Sequence, residues 1–298
     1  MEKDYRQLFQ PHIINSISGL SLIARVLVDG YLAGLNKSRR VGVGQEFSQY
    51  RGYESGDDLR LLDWKMFARS GRYYIKQSEI DTHISVKFIV DASKSMEHAE
   101  DGVSKIEYVK VLVASLAHLA QEQGDAIGLY ALNDKKITSL QPMVQKQQYK
   151  RFLHELIHIK GDGVWPSNSM NFDKFHDKSK KELVFFVTDM YEYDTELTAL
   201  IKSLKTQRNE VVVLQIMGKK ELQFNYKGYV VFEDLETGAK VKVDAKEAKS
   251  SYLSALHTMM STTKDMLLSN NIGYQLFMLD EPLGEALQLF LKQRSRLL

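Results

Sequence analysis

Oxygen-bearing residues at a fixed spacing are the strongest chemical signal in the sequence. Asp91, Ser93 and Ser95 form a D-x-S-x-S pattern directly after an apolar run, and Thr188-Asp189 follows a later apolar run. Carboxylates and hydroxyls are the hard oxygen ligands that Mg²⁺ prefers, and the ion usually keeps several waters. Because the pattern supplies few negative charges, a bound ion would stay electrophilic and accept an outside carboxylate. The pattern therefore predicts a metal site that works by binding and needs no nucleophile.

The same residues also have a plainer interpretation. D-x-S-x-S alone is a weak signal, and it also fits a serine-rich turn in which Asp91 and Ser93 cap the next segment. Its position after the first apolar strand favours the metal site, as does the second carboxylate, Asp189, after another strand. Ligands of open parallel sheets bind at the carboxyl ends of the strands, so these side chains are expected to lie close together.

A second pattern matches a zinc motif. The segment His154-Glu155-Leu156-Ile157-His158 reads H-E-x-x-H, in which two histidines on one helix face bind zinc and the glutamate is the general base. Helical spacing puts both histidines opposite the apolar face. That face comprises Tyr149, Phe152, Leu153, Leu156 and Ile157. We therefore expect solvated histidines on a surface helix, with a zinc peptidase as the less favoured alternative.

Other enzyme classes have less support. The sequence contains no G-x-x-x-x-G-K-[ST] phosphate loop and no G-x-S-x-G nucleophile elbow. A magnesium phosphohydrolase at Asp91 and Asp189 is the remaining enzymatic alternative, although no third acidic or histidine ligand is evident. We therefore predict a protein that is not an enzyme.

Apolar runs alternate with amphipathic segments from about residue 84 onward. Strands are predicted at 84–90, 126–132, 183–188, 211–216 and 274–279, with a short edge strand at 136–140. Helices are predicted at 105–123, 148–158, 196–207, 245–270 and 283–292, and a small β excursion at 229–243 turns at Glu236-Thr237-Gly238. Continuous apolar strands that alternate with helices indicate an α/β fold with a mainly parallel sheet, covered on both faces.

The segment before the sheet has a different pattern. Apolar residues between Ile13 and Leu35 recur at steps of three and four, which predicts an amphipathic helix. We predict a helical arm and a further segment at residues 1–82. The sheet domain is predicted at residues 83–298, with a β insertion at about 218–244.

Composition excludes several partners and chemistries. The 298 residues are 44% hydrophobic and 26% charged, as in an ordinary globular protein. A net charge of +2 gives no electrostatic reason to expect nucleic acid or an anionic membrane. The absence of cysteine excludes disulfides and thiolate-bound zinc. Arg25 and Asp29 interrupt the most apolar early stretch, so we predict no membrane span and a cytoplasmic location.

A long set of residues resembles a known family. The string Gly56-Asp57-Asp58-Leu59-Arg60-Leu61-Leu62-Asp63-Trp64 reads G-D-D-x-R-x-x-D-W, and the Asp91–Met96 motif follows it. Further matching residues are Glu46-Phe47, Tyr50-Arg51, Tyr53, Ala68-Arg69, Gly124-Asp125 and Glu236-Thr237-Gly238. Together they resemble the bacterial domain-of-unknown-function 58 family of von Willebrand factor A-like proteins.

The resemblance implies a Rossmann-like core with a metal-ion-dependent adhesion site for Mg²⁺ or Mn²⁺. Carried over by motif, Asp91, Ser93 and Ser95 form the first metal loop and Asp189 the last. The middle loop of related domains usually offers a threonine after glycine; here the stretch is Gly161–Ser169, with Ser169 or Ser167 as the substitute. Such proteins are often encoded beside MoxR-type AAA+ ATPases. The resemblance therefore implies a partner of that type, or its client, in maturation or assembly of other proteins.

The segment from Gly56 to Arg69 has two interpretations of its own. Its charges alternate in sign, and apolar residues are interleaved with them. The plainer interpretation is a turn that Trp64 anchors by packing into the core, with the charged side chains paired with one another within the segment. The alternative is a docking surface for a partner that uses Arg60 and Arg69.

Overall fold

The computed structural model describes residues 9–36, 47–54, 62–78, 84–166, 181–192 and 195–294. The chain divides into two compact units, of which one is Met1–Leu32 with Ile84–Leu298 and the other is Ala33–His83. This division differs from the predicted boundary at residue 82, because the N-terminal helical segment belongs with the sheet. Ile14, Leu20 and Ala24 are fully buried in the main core of that unit, which explains the assignment.

The strands within the described residues confirm the predicted order of elements. Their bounds are β1 Phe47–Gly52, β2 Tyr74–Ser78, β3 Ser85–Asp91, β4 Ala99–Glu100, β5 Val103–Ser104, β6 Ala126–Leu132, β7 Ile137–Met143, β8 Glu182–Thr188, β9 Asn209–Met217, β10 Tyr229–Glu233, β11 Lys240–Asp244 and β12 Gly273–Met278.

The described helices follow the predicted pattern as well. They are α1 Pro11–Ile14, α2 Ile17–Asn36, α3 Trp64–Ser70, α4 Lys105–Glu122, α5 Gln148–Ile157, α6 Glu196–Leu204, α7 Lys219–Gln223, α8 Ala245–Ser269 and α9 Leu283–Arg294, with a 3-10 turn at Lys94–Glu97. None of these helices is both long enough and apolar enough to cross a membrane.

A six-stranded sheet of order β12-β9-β8-β3-β6-β7 is the centre of the larger unit, as far as the described residues show. Neighbouring strands are parallel except for β7, which pairs antiparallel with β6 at one edge. The chain moves from β3 to β6 on one side and later returns to place β8 on the other side of β3. The carboxyl ends of β3 and β8 therefore meet at the topological switch point, where ligands of open α/β sheets bind.

Helices cover both faces of this sheet. Because side chains alternate along a strand, Phe88 and Val90 of β3 face one core and Ile89 faces the other. The first core includes residues of α2, α4, α5 and α9, and the second includes residues of α6 and the end of α8. The central strands β3 and β8 are buried along almost their whole length, which explains why they are mostly apolar. The buried Lys87 of β3 is paired with Glu182 of β8.

Two helices deviate from their predicted bounds for local reasons. The predicted N-terminal helix is interrupted after Ile14, where the Ser16 hydroxyl accepts the Gly19 N–H and donates to the Ile13 carbonyl. The helix predicted to reach residue 207 ends at Leu204 instead. There the Asn209 side chain donates to the Leu204 carbonyl and accepts the Thr206 N–H, so it terminates the helix.

The smaller unit contains a short antiparallel pair and a helix. β1 pairs with β2, and Asp63 caps α3 by accepting the N–H groups of Lys65 and Met66. Gly71 ends the helix in the left-handed conformation at φ +66°, which favours glycine.

Candidate functional site

Asp91 is the last residue of β3 and is 1% exposed. One carboxylate oxygen accepts the Ser93 N–H at 2.9 Å, and the other accepts the Thr188 hydroxyl at 2.8 Å. Thr188 ends β8, the strand beside β3. The two strand ends thus hold the Asp91 side chain between them in one orientation.

The two serines of the motif lie in the loop that follows. Ser93 is buried and Ser95 is half-buried, and their Oγ atoms are 2.9 Å apart. The loop is braced from both sides, because the Ala92 carbonyl accepts the Asp162 N–H at 2.9 Å and the Asn133 side-chain amide at 3.1 Å. Both hydroxyls are therefore held together on a loop with little freedom to move.

Asp189 follows β8 directly and is fully buried. One of its carboxylate oxygens accepts a hydrogen bond from the Lys105 ammonium at 3.1 Å, and the other accepts the Tyr191 N–H at 3.3 Å. Lys105, the first residue of α4, is itself 1% exposed and also bonds Glu221 at 2.8 Å. The N-terminus of α4 thus delivers a buried cation to the carboxylate predicted as the last metal ligand.

The electrostatics of the site follow from burial and from charges of like sign. Burial and the neighbouring charge of Asp189 raise the pKa of Asp91 to about 7, although hydrogen bonds from Ser93 and Thr188 oppose the rise. Burial alone would lower the pKa of Lys105, but the charges of Asp189 and Glu221 hold it above its ordinary value. The two aspartates are therefore close enough to repel each other, and a cation beside them would relieve that repulsion.

The β10–β11 hairpin adds a third carboxylate, which the sequence did not single out as a site residue. Glu236, in the turn of this hairpin, is half-buried, and its carboxylate lies close to the side chains of Ser93 and Ser95. Burial and the charge of Asp189 raise the pKa of Glu236. The signal available in the sequence was the Glu236-Thr237-Gly238 turn itself, but nothing in its spacing links it to a motif more than a hundred residues earlier.

These side chains form a donor set that suits a small divalent cation. Carboxylates of Asp91, Asp189 and Glu236 and hydroxyls of Ser93 and Ser95 lie near one another at the carboxyl edge of the sheet. All of them are hard oxygen donors, which suit Mg²⁺ and Mn²⁺ rather than softer metals. Burial and, secondarily, the charge of Asp189 raise the pKa of Asp91 and of Glu236, and a cation would offset both effects.

A pocket of about 390 Å³ opens beside this donor set. Ser95, Asp189 and Glu236 form part of its wall, so the pocket and the candidate metal position are continuous. Aromatic side chains of the hairpin, of α8 and of the segments next to them form the rest of the wall: Tyr191, Phe224, Tyr226, Phe232 and Tyr252. The pocket therefore offers apolar contact directly next to a charged site.

Other predicted residues lie outside the described part of the chain or in the smaller unit. Ser169, Ser167 and Arg60 lie outside the described residues. Arg69 is exposed in the last turn of α3, in the smaller unit, where a cation complements the helix dipole. The predicted anchoring of this segment by Trp64 is wrong, because its side chain is 61% exposed; among the described residues of the segment, Leu62 is buried.

His154 and His158 lie where the helical spacing predicted. Both are exposed, and the predicted apolar face of α5 contains the buried Tyr149, Phe152 and Leu156. The two ring centroids are 4.6 Å apart. His158 lies just beyond the end of α5, and its Nδ1 lies 2.6 Å from the His154 carbonyl oxygen, so that nitrogen already has a partner in the backbone. A solvent-facing pair of this kind does not support the zinc peptidase alternative, which requires histidines turned into a cleft.

Another group of potential ligands has a structural explanation. Ligand atoms of His98, Glu100 and Glu221 lie within 4.8 Å of one another. Both Glu100 oxygens accept the Lys220 N–H at 3.0 Å, at the start of α7, and Glu221 pairs with Lys105. These carboxylates therefore hold α7 and Lys105 in place.

The sheet order and the two aspartates at its switch point define the class of protein. This is an α/β fold with a mainly parallel sheet and a topological switch point between β3 and β8. The model of the family described as "Protein of unknown function DUF58" matches residues 49–258, and the chain belongs to that family.

Comparison with individual proteins gives distant similarities. An uncharacterized protein of Mycobacterium tuberculosis is 20% identical over 230 residues, covering 76% of this chain and 72% of its own length. The conserved hypothetical protein BatB of Bacteroides thetaiotaomicron superposes at a TM-score of 0.43 with 11% identity, covering 72% of this chain and 99% of its own. A von Willebrand factor type A protein of Catenulispora acidiphila superposes at a TM-score of 0.38 with 13% identity, covering 73% of this chain and 42% of its own.

Proposed function

We propose that this protein is a non-catalytic, metal-dependent module that binds another protein. Asp91, Ser93 and Ser95 hold Mg²⁺ or Mn²⁺, and Asp189 contacts the ion directly or through a water. The observation that carries the proposal is the pair of buried aspartates at neighbouring strand ends, beside two hydroxyls that share one loop. Ser169 stays a candidate for the middle loop.

The chemistry of such a site is recognition of a carboxylate. Hydroxyl ligands are neutral, and Lys105 already offsets part of the charge of Asp189, so the ion keeps a strong attraction for a further anion. An aspartate or glutamate of the partner supplies that anion. The adjoining aromatic pocket accepts an apolar side chain next to the acidic one, which adds buried apolar area to the contact.

The partner that we propose is a MoxR-type AAA+ ATPase or its client. The support is the resemblance of the chain to proteins encoded beside such ATPases, and it is an argument by analogy. In this proposal the protein is an adaptor, or a maturation and assembly factor, and works in the cytoplasm, where the ATPase has access to ATP.

Calorimetric titration of Mg²⁺ and Mn²⁺ into the metal-stripped protein tests the metal site. Asp91→Asn keeps the size of the side chain but removes its charge, and Asp265→Asn makes the same change at an exposed position of α8. We expect the wild type and Asp265→Asn to bind alike, and Asp91→Asn to bind at least about tenfold more weakly. Equal affinity in all three proteins would reject this metal site.

Co-purification with the MoxR-type ATPase tests the partner. We expect an association that requires Mg²⁺ or Mn²⁺, is removed by EDTA and is lost in Asp91→Asn but kept in Asp265→Asn. An association that is indifferent to EDTA and to Asp91→Asn would place the contact elsewhere on the molecule.

A further inference from the structure

The turn between β10 and β11 is built to present Glu236 in one position. The Asp234 carboxylate accepts the N–H groups of Glu236 and Thr237, at 2.8 and 3.2 Å, and the Thr237 hydroxyl at 2.7 Å. The Gly238 N–H closes the turn on the Asp234 carbonyl at 2.7 Å, and Gly238 has φ +73°. This many bonds within a few residues hold the backbone of Glu236 still.

The side chain of Glu236 leaves this turn and reaches the first metal loop. Its carboxylate lies close to Ser93 and Ser95, the two hydroxyl residues of the D-x-S-x-S motif, and within the electrostatic range of Asp189. Glu236 also lines the pocket together with Ser95 and Asp189. The carboxylate thus lies on the open side of the donor set, whereas Asp91 and Asp189 are buried at the strand ends.

The charge of the buried Asp189 opposes the Glu236 carboxylate in this position, and a cation would remove that opposition. The carboxylate nevertheless lies in the pocket wall beside Ser95 and Asp189. Glu233, in strand β10 of the same hairpin, is exposed and pairs with Lys240 at 3.1 Å. Both residues line the pocket, but Glu236 is the one whose carboxylate lies beside Asp189 and the serine loop.

We propose that Glu236 is a built-in ligand of the metal site, which occupies the position open to an outside carboxylate until a partner's carboxylate displaces it. This inference rests on the proposed metal-dependent binding and adds its regulation. The exchange replaces one carboxylate with another, so the metal keeps its charge balance. Because the hairpin keeps Glu236 at a high effective concentration, only a partner with further contacts, such as a side chain in the aromatic pocket, competes successfully.

The proposal explains why the hairpin lies beside the pocket. Phe232 of β10 has its ring centroid 5.6 Å from that of Phe224 and 5.0 Å from that of Tyr226. The same aromatic side chains line the pocket. A side chain that enters the pocket therefore contacts the residues that position the hairpin, which couples occupation of the pocket to release of Glu236.

Titration of Mn²⁺ into the full chain tests the proposal with the metal as a spectroscopic probe. Glu236→Gln removes the charge of the built-in ligand, and Glu233→Gln makes the same change on the same hairpin. Electron paramagnetic resonance gives the Mn²⁺ affinity, and water-proton relaxation gives the number of waters on the bound ion. We expect Glu236→Gln to bind Mn²⁺ about tenfold more weakly and to carry about one more water, with Glu233→Gln unchanged.

A second titration adds acetate, as a minimal carboxylate, to each Mn²⁺-loaded protein. We expect acetate to bind Glu236→Gln roughly tenfold or more tightly than the wild type or Glu233→Gln, because the competing carboxylate is gone. If Mn²⁺ binds to all three proteins with equal affinity, hydration and acetate response, Glu236 is not a ligand, and the proposed function is unaffected. If the wild type does not bind Mn²⁺, the proposed function fails and this inference fails with it.

Discussion

At the scale of single residues, the site is a set of buried charges that are only partly paired within the protein. Asp91 and Asp189 are both at most 1% exposed, and Lys105 is the buried cation that pairs with Asp189. Burying charged groups is costly unless each is paired. The residues of the site therefore influence the stability of the protein as well as its binding.

Asp91→Asn is predicted to stabilise the metal-free protein above neutral pH. The folded pKa of about 7 is higher than the ordinary value of about 4, so the stability that Asp91 contributes is present below pH 4 and is lost as the pH rises to 7. The variant avoids this loss, and we expect a gain on the order of 2 kcal/mol at pH 8. Urea unfolding with EDTA at pH 5 and pH 8 measures it; a variant that is less stable at pH 8 contradicts the prediction.

Lys105→Met is predicted to destabilise the metal-free protein strongly. The substitution leaves Asp189 and Glu221 facing each other without the ammonium that lies between them at 3.1 and 2.8 Å. Removal of one partner from a buried ion pair typically costs about 3–5 kcal/mol. Added Mg²⁺ should restore more stability to this variant than to the wild type, because the ion replaces part of the lost charge. Thermal unfolding with and without Mg²⁺ measures both effects.

At the scale of elements, the ends of helices and turns decide where the functional side chains lie. α4 begins with a capping box, in which the Ser104 hydroxyl accepts the Glu107 N–H and the Ser104 N–H donates to the Glu107 carboxylate. Lys105 is the next residue, so the cap also fixes the backbone of the residue whose ammonium pairs with Asp189. In the hairpin turn, the Asp234 carboxylate accepts the Glu236 N–H and fixes the backbone of Glu236 in a similar way.

Ser104→Ala is predicted to cost about 1 kcal/mol of stability, the usual value for a lost helix cap. Glu107→Ala breaks the same box, so the double variant should cost less than the sum of the two single variants. Chemical denaturation of the four proteins measures this coupling, and simple additivity is the result that would count against a shared cap.

Asp234→Ala is predicted to loosen the hairpin turn and leave the central sheet intact. The carboxylate holds two N–H groups and one hydroxyl of the turn, and all three lose their acceptor in the variant. Hydrogen exchange measured by mass spectrometry should rise in peptides covering residues 234–239 and stay unchanged in β3 and β8. Unchanged exchange in the turn would show that other contacts hold it.

At the scale of the whole molecule, metal binding should be visible as a gain in stability. A ligand that binds only the folded state at a hundred times its dissociation constant stabilises it by about 2.7 kcal/mol. We expect Mg²⁺ to raise the melting temperature of the wild type and of a His154→Ala/His158→Ala variant equally, and to leave Asp91→Asn unchanged. A loss of the effect in the histidine variant, with folding preserved, would revive the zinc alternative.

Local sequence determined most of the elements and the first part of the site. The buried strand β8 reads as an unbroken apolar run and β3 as an apolar run interrupted by Lys87, and α5 shows a clear division into an apolar and a polar face. Because these patterns depend on periods of two and 3.6 residues, they are visible without a structure. The position of Asp91 and Asp189 after two such strands was predictable for the same reason.

Only the tertiary structure decided which distant residues complete the site. Lys105 is adjacent to Ser104 in a sequence pattern that signals a helix start, and nothing there indicates a bond to Asp189, 84 positions later. Glu236 belongs to a hairpin turn that reads as a surface feature, yet its carboxylate contacts Ser93 and Ser95. Local periodicity records which face of an element is buried, whereas these contacts depend on how separate elements pack, and that is set by the fold as a whole.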